Sequence, residues 1–409
     1  MTADLVIKNA RVMTCDPSRF GLGMIDRGAV AIVGGEVVWV GPEAQRPGAT
    51  RAIDAGGRLV TPGLVDCHTH AIFAGDRANE FALRAAGKTY LEIAAAGGGI
   101  GATLGPTRSA SDDELLALLS GRLDTALAAG TTTIEVKSGY DLTVAGELRL
   151  LRVIARAQQR GAPRIVPTLL AHLVPPDRRA DRSAYVIEIC DQLVPQVAAE
   201  QLAASVDIYC DEGAYTLAET RSILGAAKTA GLSVRGHIGQ FADLGAAELL
   251  ADLAGLSADH LEHISDGGIA QLAAAGIVGV MLPGAAVQLR LPVPPVEKLR
   301  AAGVALAIAT DLNPGSSYAE ELPLQMWLAT THYGMTVEEA WLGVTRHAAK
   351  ALRLAKVGTI QAGGPADLVV WACDDPATVP YRYGSAARLV ETVYAGGRPR
   401  RATPVPLEH

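Results

Sequence analysis

Ala128-Ala129-Gly130-Thr131-Thr132-Thr133-Ile134-Glu135-Val136 reads as a helix that stops and a strand that starts. Glycine readily takes the left-handed conformation that ends a helix, and the run after it has the apolar, β-branched content of a buried parallel strand. The same join recurs down the chain. Gly161 precedes Arg164 to Leu170, Ala230-Gly231 precedes Leu232 to His237, and Ala254-Gly255 precedes Leu256 to His260. Ala275-Gly276 then precedes Ile277 to Leu282, and Ala302-Gly303 precedes Val304 to Thr310. Leu59 to Cys67 and Val206 to Cys210 lack the glycine but match in apolar content, which brings the count to eight.

The segments between these strands are amphipathic helices. In one, Leu115, Leu116, Leu119, Leu123, Ala126 and Leu127 recur at helical spacing after a capping box of Ser111 and Glu114. Eight strands alternating with helices predict an α/β fold, a (β/α)8 TIM-like barrel over 59–355. The chain ends differ. Leu5 to Met13, Ala29 to Val33 and Glu36 to Val40 are short strands, the last two joined by Gly34-Gly35 in a hairpin signature. Asp367 to Trp371 and Leu389 to Tyr394 are strands near the other end. Neither end can bury a core alone, so 1–58 and 356–409 are expected to pair into one small β-sandwich beside the barrel.

Composition narrows the partners. A net charge of −7 supplies no positive field for a phosphate backbone, and aromatics at 4% leave few platforms for stacked bases, so no nucleic acid partner is expected. The 21 residues from Gly267 to Val287 carry no charge and imitate a membrane span. Gly276 and Pro283 break that stretch into a helix and a buried strand, so no membrane partner is expected either. Five scattered cysteines fit free thiols, and no basic-then-apolar leader is visible, which makes the location expected to be cytoplasmic. Leu407-Glu408-His409 resembles a tag remnant and carries no argument.

In a barrel of this kind, active-site groups sit at the C-terminal ends of the strands. Six of the nine histidines fall there: His68, His70, His172, His237, His260 and His263. Asp211-Glu212, Asp259 and Asp311 stand at other strand ends. His68 and His70 point to the same side of an extended strand, because side chains alternate with period two. A divalent metal fits between them, with His237 and Asp311 completing a nitrogen and oxygen site; paired cysteines for a zinc finger are lacking.

These residues resemble the metal-dependent amidohydrolase superfamily, with His-x-His after the first strand, His after the fifth and sixth, and Asp after the eighth. Leu5-Val6-Ile7-Lys8-Asn9-Ala10, Thr61-Pro62-Gly63-Leu64-Val65-Asp66, Gly358-Thr359-Ile360 and Ala366-Asp367-Leu368-Val369-Val370 extend the likeness over nearly the whole chain. Within the superfamily the pattern is similar to the branch that opens an imidazolone ring. Its marks are His68-Thr69-His70 with Phe73-Ala74-Gly75-Asp76-Arg77, then Tyr90-Leu91-Glu92-Ile93 with Gly97-Gly98-Gly99-Ile100. Further on stand Glu135-Val136-Lys137-Ser138-Gly139-Tyr140, Asp207-Ile208-Tyr209-Cys210-Asp211-Glu212, Ser257-Ala258-Asp259-His260-Leu261-Glu262 and Thr310-Asp311-Leu312-Asn313-Pro314-Gly315-Ser316.

The resemblance implies one zinc or iron ion held by His68, His70, His237 and Asp311. It implies a mononuclear site, since Asp211 stands where a lysine would carry a bridging carbamate. It assigns Arg77, Tyr140, His172, Gln240, Asn313, Gly315 and Ser316 to a small carboxylated heterocycle. His260, Asp311 and Gln240 are the expected catalytic groups, although Gln240 stands where some relatives have Glu and cannot itself be a base. The implied reaction is hydrolysis of the ring amide of 4-imidazolone-5-propanoate to N-formimino-L-glutamate in histidine degradation.

Arg77 suits the propionate, since a guanidinium matches a carboxylate in two parallel hydrogen bonds. Lys137 has two readings, a substrate or loop contact or an ion pair with Glu135 or Asp141. After the seventh strand, Leu282-Pro283-Gly284-Ala285-Ala286-Val287-Gln288 lacks the aromatic cluster often found in relatives, which keeps a cytosine- or guanine-type deaminase as the alternative. A non-catalytic assembly protein on the same fold is the third reading, disfavoured because all four ligands are present. The oligomeric state is open, a homodimer being one option.

Overall fold

The structure, a computed structural model, describes residues 2–88, 92 and 98–400. Tyr90, Leu91, Ile93 and Gly97 of the family marks, and Leu407-Glu408-His409, lie outside the described residues.

The chain begins with β1 (Ala3–Met13), β2 (Met24–Val33), β3 (Glu36–Pro42), β4 (Ala49–Asp54) and β5 (Leu59–Pro62). β2 and β3 form the expected hairpin, and Gly34 and Gly35 at its tip have φ of +58° and +87°, which few residues other than glycine tolerate. β1 pairs with β2 on one side. On its other side the first half pairs with β4 and the last residues with β5, so the sheet forks there.

The strand expected over Leu59 to Cys67 is divided at Gly63. β5 belongs to the sheet of the chain ends, and only β6 (Leu64–Asp66) enters the barrel. Gly63 is the crossing point because a Cβ there would stand 2.0 Å from the Thr132 hydroxyl oxygen, so the two layers touch through its bare backbone. Periodicity cannot see such a switch, since both halves are apolar and fully buried.

The barrel strands follow as β7 (Thr131–Lys137), β8 (Arg164–Ala171), β9 (Ser205–Cys210), β10 (Ser233–Ile238), β11 (Ser257–His260), β12 (Val278–Met281) and β13 (Leu306–Ile308). Each pairs parallel with its sequence neighbour, making eight strands in the order of the chain. β6 and β13 meet beyond their C-terminal ends, through a parallel bridge of Thr69 with Leu312. There His70 N–H donates to Leu312 at 2.8 Å and Asp311 N–H to His68 at 3.1 Å. The ring therefore closes on the candidate site residues themselves.

The capping box forms, Ser111 and Glu114 exchanging hydrogen bonds at the start of helix Asp112–Ala128. The uncharged stretch resolves into helix Asp266–Ala275, Gly276 in the left-handed region, β12, and a helix that Pro283 begins. No helix among the described residues is long and apolar enough to cross a membrane.

The chain then returns through β14 (Gly364–Pro365), β15 (Leu368–Trp371), β16 (Val390–Ala395) and β17 (Arg398–Arg400). β15 pairs antiparallel with β5, so both chain ends share one mixed sheet of nine strands. Leu5, Ile7, Val12, Val30, Val60, Leu368, Val370 and Tyr394 form its own core, apart from the barrel.

Candidate active site

The barrel interior is not uniformly apolar. Glu135 and Lys137 on β7, Asp207 on β9, Arg235 on β10 and Asp259 on β11 are all fully buried. Burying unpaired charges is costly, and each of these has a partner. Lys137 Nζ lies 2.7 Å from both Glu135 Oε1 and Asp207 Oδ2. Arg235 bridges Glu135 at 3.1 Å and Asp259 at 3.3 Å. Of the two readings of Lys137, the structure therefore gives the ion pair with Glu135, joined by Asp207 in place of Asp141.

Above this layer stand the histidines. His68 Nδ1 is 2.7 Å from Asp259 Oδ2, and His237 Nδ1 is 3.1 Å from Asp207 Oδ1. A carboxylate at Nδ1 fixes the tautomer with Nε2 as the lone-pair nitrogen, the form in which imidazole binds a metal. His68 Nε2 is buried and makes no hydrogen bond, as is His70 Nδ1. His70 Nε2 lies 3.3 Å from His237 Nε2, and Asp311 Oδ1 lies 3.4 Å from His68 Nε2 and 3.3 Å from His70 Nε2.

The three imidazoles therefore present donor atoms within 4.8 Å of one another, with Asp311 against them. Burial lowers the pKa of His70 and brings that of His237 down to about 4, so both are neutral at pH 7, as metal ligation requires. Burial alone would raise Asp311, but His68 and His70 beside it hold its carboxyl well below the usual range.

The charge count agrees. Two cations, Lys137 and Arg235, stand among four carboxylates, Glu135, Asp207, Asp259 and Asp311, which leaves a net charge of −2. Asp66, pushed up to about 7 chiefly by burial, lies outside that count. Orphaned nitrogens and a deficit of two positive charges fit a divalent cation.

The remaining candidates line the cavity over this cluster. His260 and Asp311 hold φ of +84° and +50°, conformations that cost non-glycine residues of order 1–3 kcal/mol and are imposed by the surrounding fold. His260 Nδ1 lies 3.8 Å from Glu262 Oε1. Burial works to lower His260, yet Glu262 more than compensates and its pKa is raised. His172 donates Nδ1–H to Gly139 O at 3.0 Å, and burial with His70 nearby takes its pKa down to about 3, so Nε2 is an acceptor. The Tyr140 ring sits 6.2 Å from that of His70 and 5.7 Å from that of His172.

Gln240 accepts a hydrogen bond from Tyr209 at 2.9 Å. Its backbone, with those of Phe241 and Ala242, donates to Asp211, which gives that strand-end carboxylate a place in shaping the loop. Arg77 is 8% exposed and bound to Glu80 at 2.7 Å, while its buried Nε has no partner. Gly315 makes room for it, since a Cβ there would come within 2.1 Å of Arg77 Nη1.

Asn313 spends its amide on its own loop, accepting from the Gly315 and Ser316 N–H groups and donating to Asp311 O. Ser316 Oγ stands 3.5 Å from Asp311 Oδ2. His263 is absent from the lining. The atypical segment after β12 contributes a hydrogen bond from Gln288 to Gly315 O, and Leu289, just past it, lines the cavity.

Sequence reasoning gave no role to Asp207, Tyr209 and Glu262, although they stand in the family marks, and did not single out Arg235 and Glu80 at all. A signal existed for three of them. Glu135 and Lys137, Asp207 and Tyr209, and Arg235 and His237 each repeat polar groups at a spacing of two in an otherwise apolar strand, and so face the barrel interior together.

The model of the Amidohydrolase family matches residues 59–400. The chain is 47% identical over 389 residues to an imidazolonepropionase of Caulobacter vibrioides (strain NA1000 / CB15N), covering 94% of this chain and 97% of the relative. It is 47% identical over 379 residues to an imidazolonepropionase of Acidiphilium cryptum (strain JF-5), covering 91% and 94%. Among solved structures it resembles a zinc-bound adenosine deaminase from Xanthomonas campestris, with a TM-score of 0.70, 18% identity and coverage of 100% and 95%. It also resembles an atrazine chlorohydrolase from Arthrobacter aurescens TC1 complexed with zinc, with a TM-score of 0.72, 17% identity and coverage of 98% and 96%. At such identities these two likenesses bear on the fold alone.

Proposed function

The chain belongs to the amidohydrolase family and, within it, to the imidazolonepropionases, and from that membership we infer that it opens the ring amide of 4-imidazolone-5-propanoate. The product is N-formimino-L-glutamate, a step of histidine degradation. The observation that carries the reading is the convergence of His68, His70, His237 and Asp311 over a buried charge of −2.

Those four residues would hold the divalent cation. Zinc and iron(II) both suit three imidazoles and one carboxylate. When bound, such a cation supplies a water whose pKa is lowered to about 7.

This chain's own groups do the rest. Arg77 takes the propionate, the buried and unpartnered Nε offering a donor beyond those given to Glu80. His172 offers its acceptor nitrogen to a ring N–H. Asp311 accepts the proton of the water that adds to the ring carbonyl carbon, and returns it to the nitrogen that leaves as the C–N bond breaks. His260, whose pKa Glu262 raises against the effect of burial, stabilises the oxyanion that forms meanwhile. Gln240, oriented by Tyr209, hydrogen-bonds the substrate and takes no proton. The five unpaired cysteines support a cytoplasmic location.

A heterocycle deaminase would use a similar donor set, but a neutral base gives Arg77 nothing to bind. Incubating the purified protein with imidazolone propionate made in situ, beside cytosine and guanine, tests the reading. Formiminoglutamate without ammonia is expected. Ammonia from either base, with the imidazolone untouched, would overturn it.

A further inference from the structure

Glu135 touches none of the four candidate ligand side chains, yet it joins the elements that carry them. Its Oε2 accepts the Thr69 N–H at 3.0 Å, and its backbone oxygen accepts the Thr69 hydroxyl at 2.6 Å, so it grips the residue between His68 and His70 from below. Its Oε1 meets Lys137 and Arg235. Lys137 passes to Asp207, which holds His237; Arg235 passes to Asp259, which holds His68. Two of the three candidate ligand imidazoles, His68 and His237, thus hang from the two ends of a chain of five buried charges with one carboxylate at its centre, and the same carboxylate holds the backbone next to the third, His70.

We propose that Glu135 is a positioning residue that sets both the geometry and the charge of the cation site. This inference rests on the four-residue cation site described above. The charge argument has a sign that a purely structural role lacks. Removing the negative charge of Glu135 takes the cage from −2 to −1 and weakens its hold on a dication. Removing the positive charge of Lys137 takes it to −3 and does the reverse, although the variant loses an ion pair and is less stable. Glu135→Gln also turns an amide N–H₂ toward either the two cations or the Thr69 N–H, each of them a donor or a charge of the wrong kind.

The test is the affinity of the metal-depleted protein for Zn²⁺ alone, measured by competition with a chromogenic chelator, for wild type, Glu135→Gln and Lys137→Met. Partners of metal-ligating histidines affect metal affinity by about 10–100-fold, and Glu135→Gln is expected to weaken zinc by that much. Lys137→Met is expected to bind zinc at least as tightly as wild type while unfolding at a lower temperature. Unchanged affinity in Glu135→Gln, or weakening by Lys137→Met, overturns the inference. Should Glu135→Gln not fold, the sign of the Lys137→Met change decides alone. A wild type that binds no zinc removes the cation site itself, a separate failure.

Discussion

Gly315→Ala displaces the Arg77 guanidinium without changing any charge. The glycine does not occupy the left-handed region, so alanine adds no backbone strain. Its Cβ would stand 2.1 Å from Nη1 and 2.7 Å from Cζ of Arg77, where ordinary contact begins at 3.4 Å, so the guanidinium must retreat by about 1.3 Å. The obstructing atoms are the far end of a flexible side chain, which moves more cheaply than the loop, whose N–H groups are bound to Asn313.

A displacement of that size breaks the alignment on which bidentate recognition depends. Losing a hydrogen bond between charged groups costs about 1.5–3 kcal/mol, which corresponds to about 10–150-fold in affinity. The loss falls on KM, because the propionate is remote from the bond that breaks; kcat is expected to fall less than KM rises. Steady-state kinetics on imidazolone propionate, beside an imidazolone lacking the carboxylate, reads the difference. Equal KM changes for the two compounds, or none for the acid, would refute the assignment of Arg77 to the propionate.

Three further outcomes are expected. His68→Ala should abolish turnover and stoichiometric zinc together, measured by assay and by metal analysis, since in the proposed site its Nε2 would be a ligand that no neighbour can replace; turnover at the wild-type rate would contradict the site. Zinc at 100-fold its Kd should stabilise the metal-depleted protein by about 2.7 kcal/mol, visible as a rise in Tm that His68→Ala lacks. His347, outside the cavity lining, is held down to about 4 chiefly by burial, with Nδ1 bonded to Leu306 O at 2.9 Å. The unfolded chain therefore binds a proton there below about 6.5 that the folded one refuses. Stability should fall as pH drops from about 6.5 to 4, and His347→Gln should flatten that part of a urea-midpoint profile.

The repeat was legible in the sequence because each helix-to-strand join is a local event. Gly276 must end one helix whatever lies beside it, and the apolar run after it must be buried on both faces. The grouping of the candidate ligand histidines was legible for the same kind of reason, since the end of a barrel strand is a fixed address and His68 and His70 share a face by period two alone. Arg77, seven residues past His70, carried no local mark beyond its charge, and the resemblance alone gave it a role.

What tertiary structure decided are pairings across distant strands. Glu135 and Arg235 are 100 residues apart, and nothing local says that their charges meet. Lys137 could have turned to Asp141, four residues on, and instead reaches Asp207 across the barrel interior, because the strand directs it inward where a buried carboxylate waits. Gly63 looked like part of one long strand, and only the approach of Thr132 shows why the chain changes sheets there. Local pattern fixes which residues can be buried and which face they share; the partner that makes a buried charge tolerable is supplied by whatever the fold brings opposite.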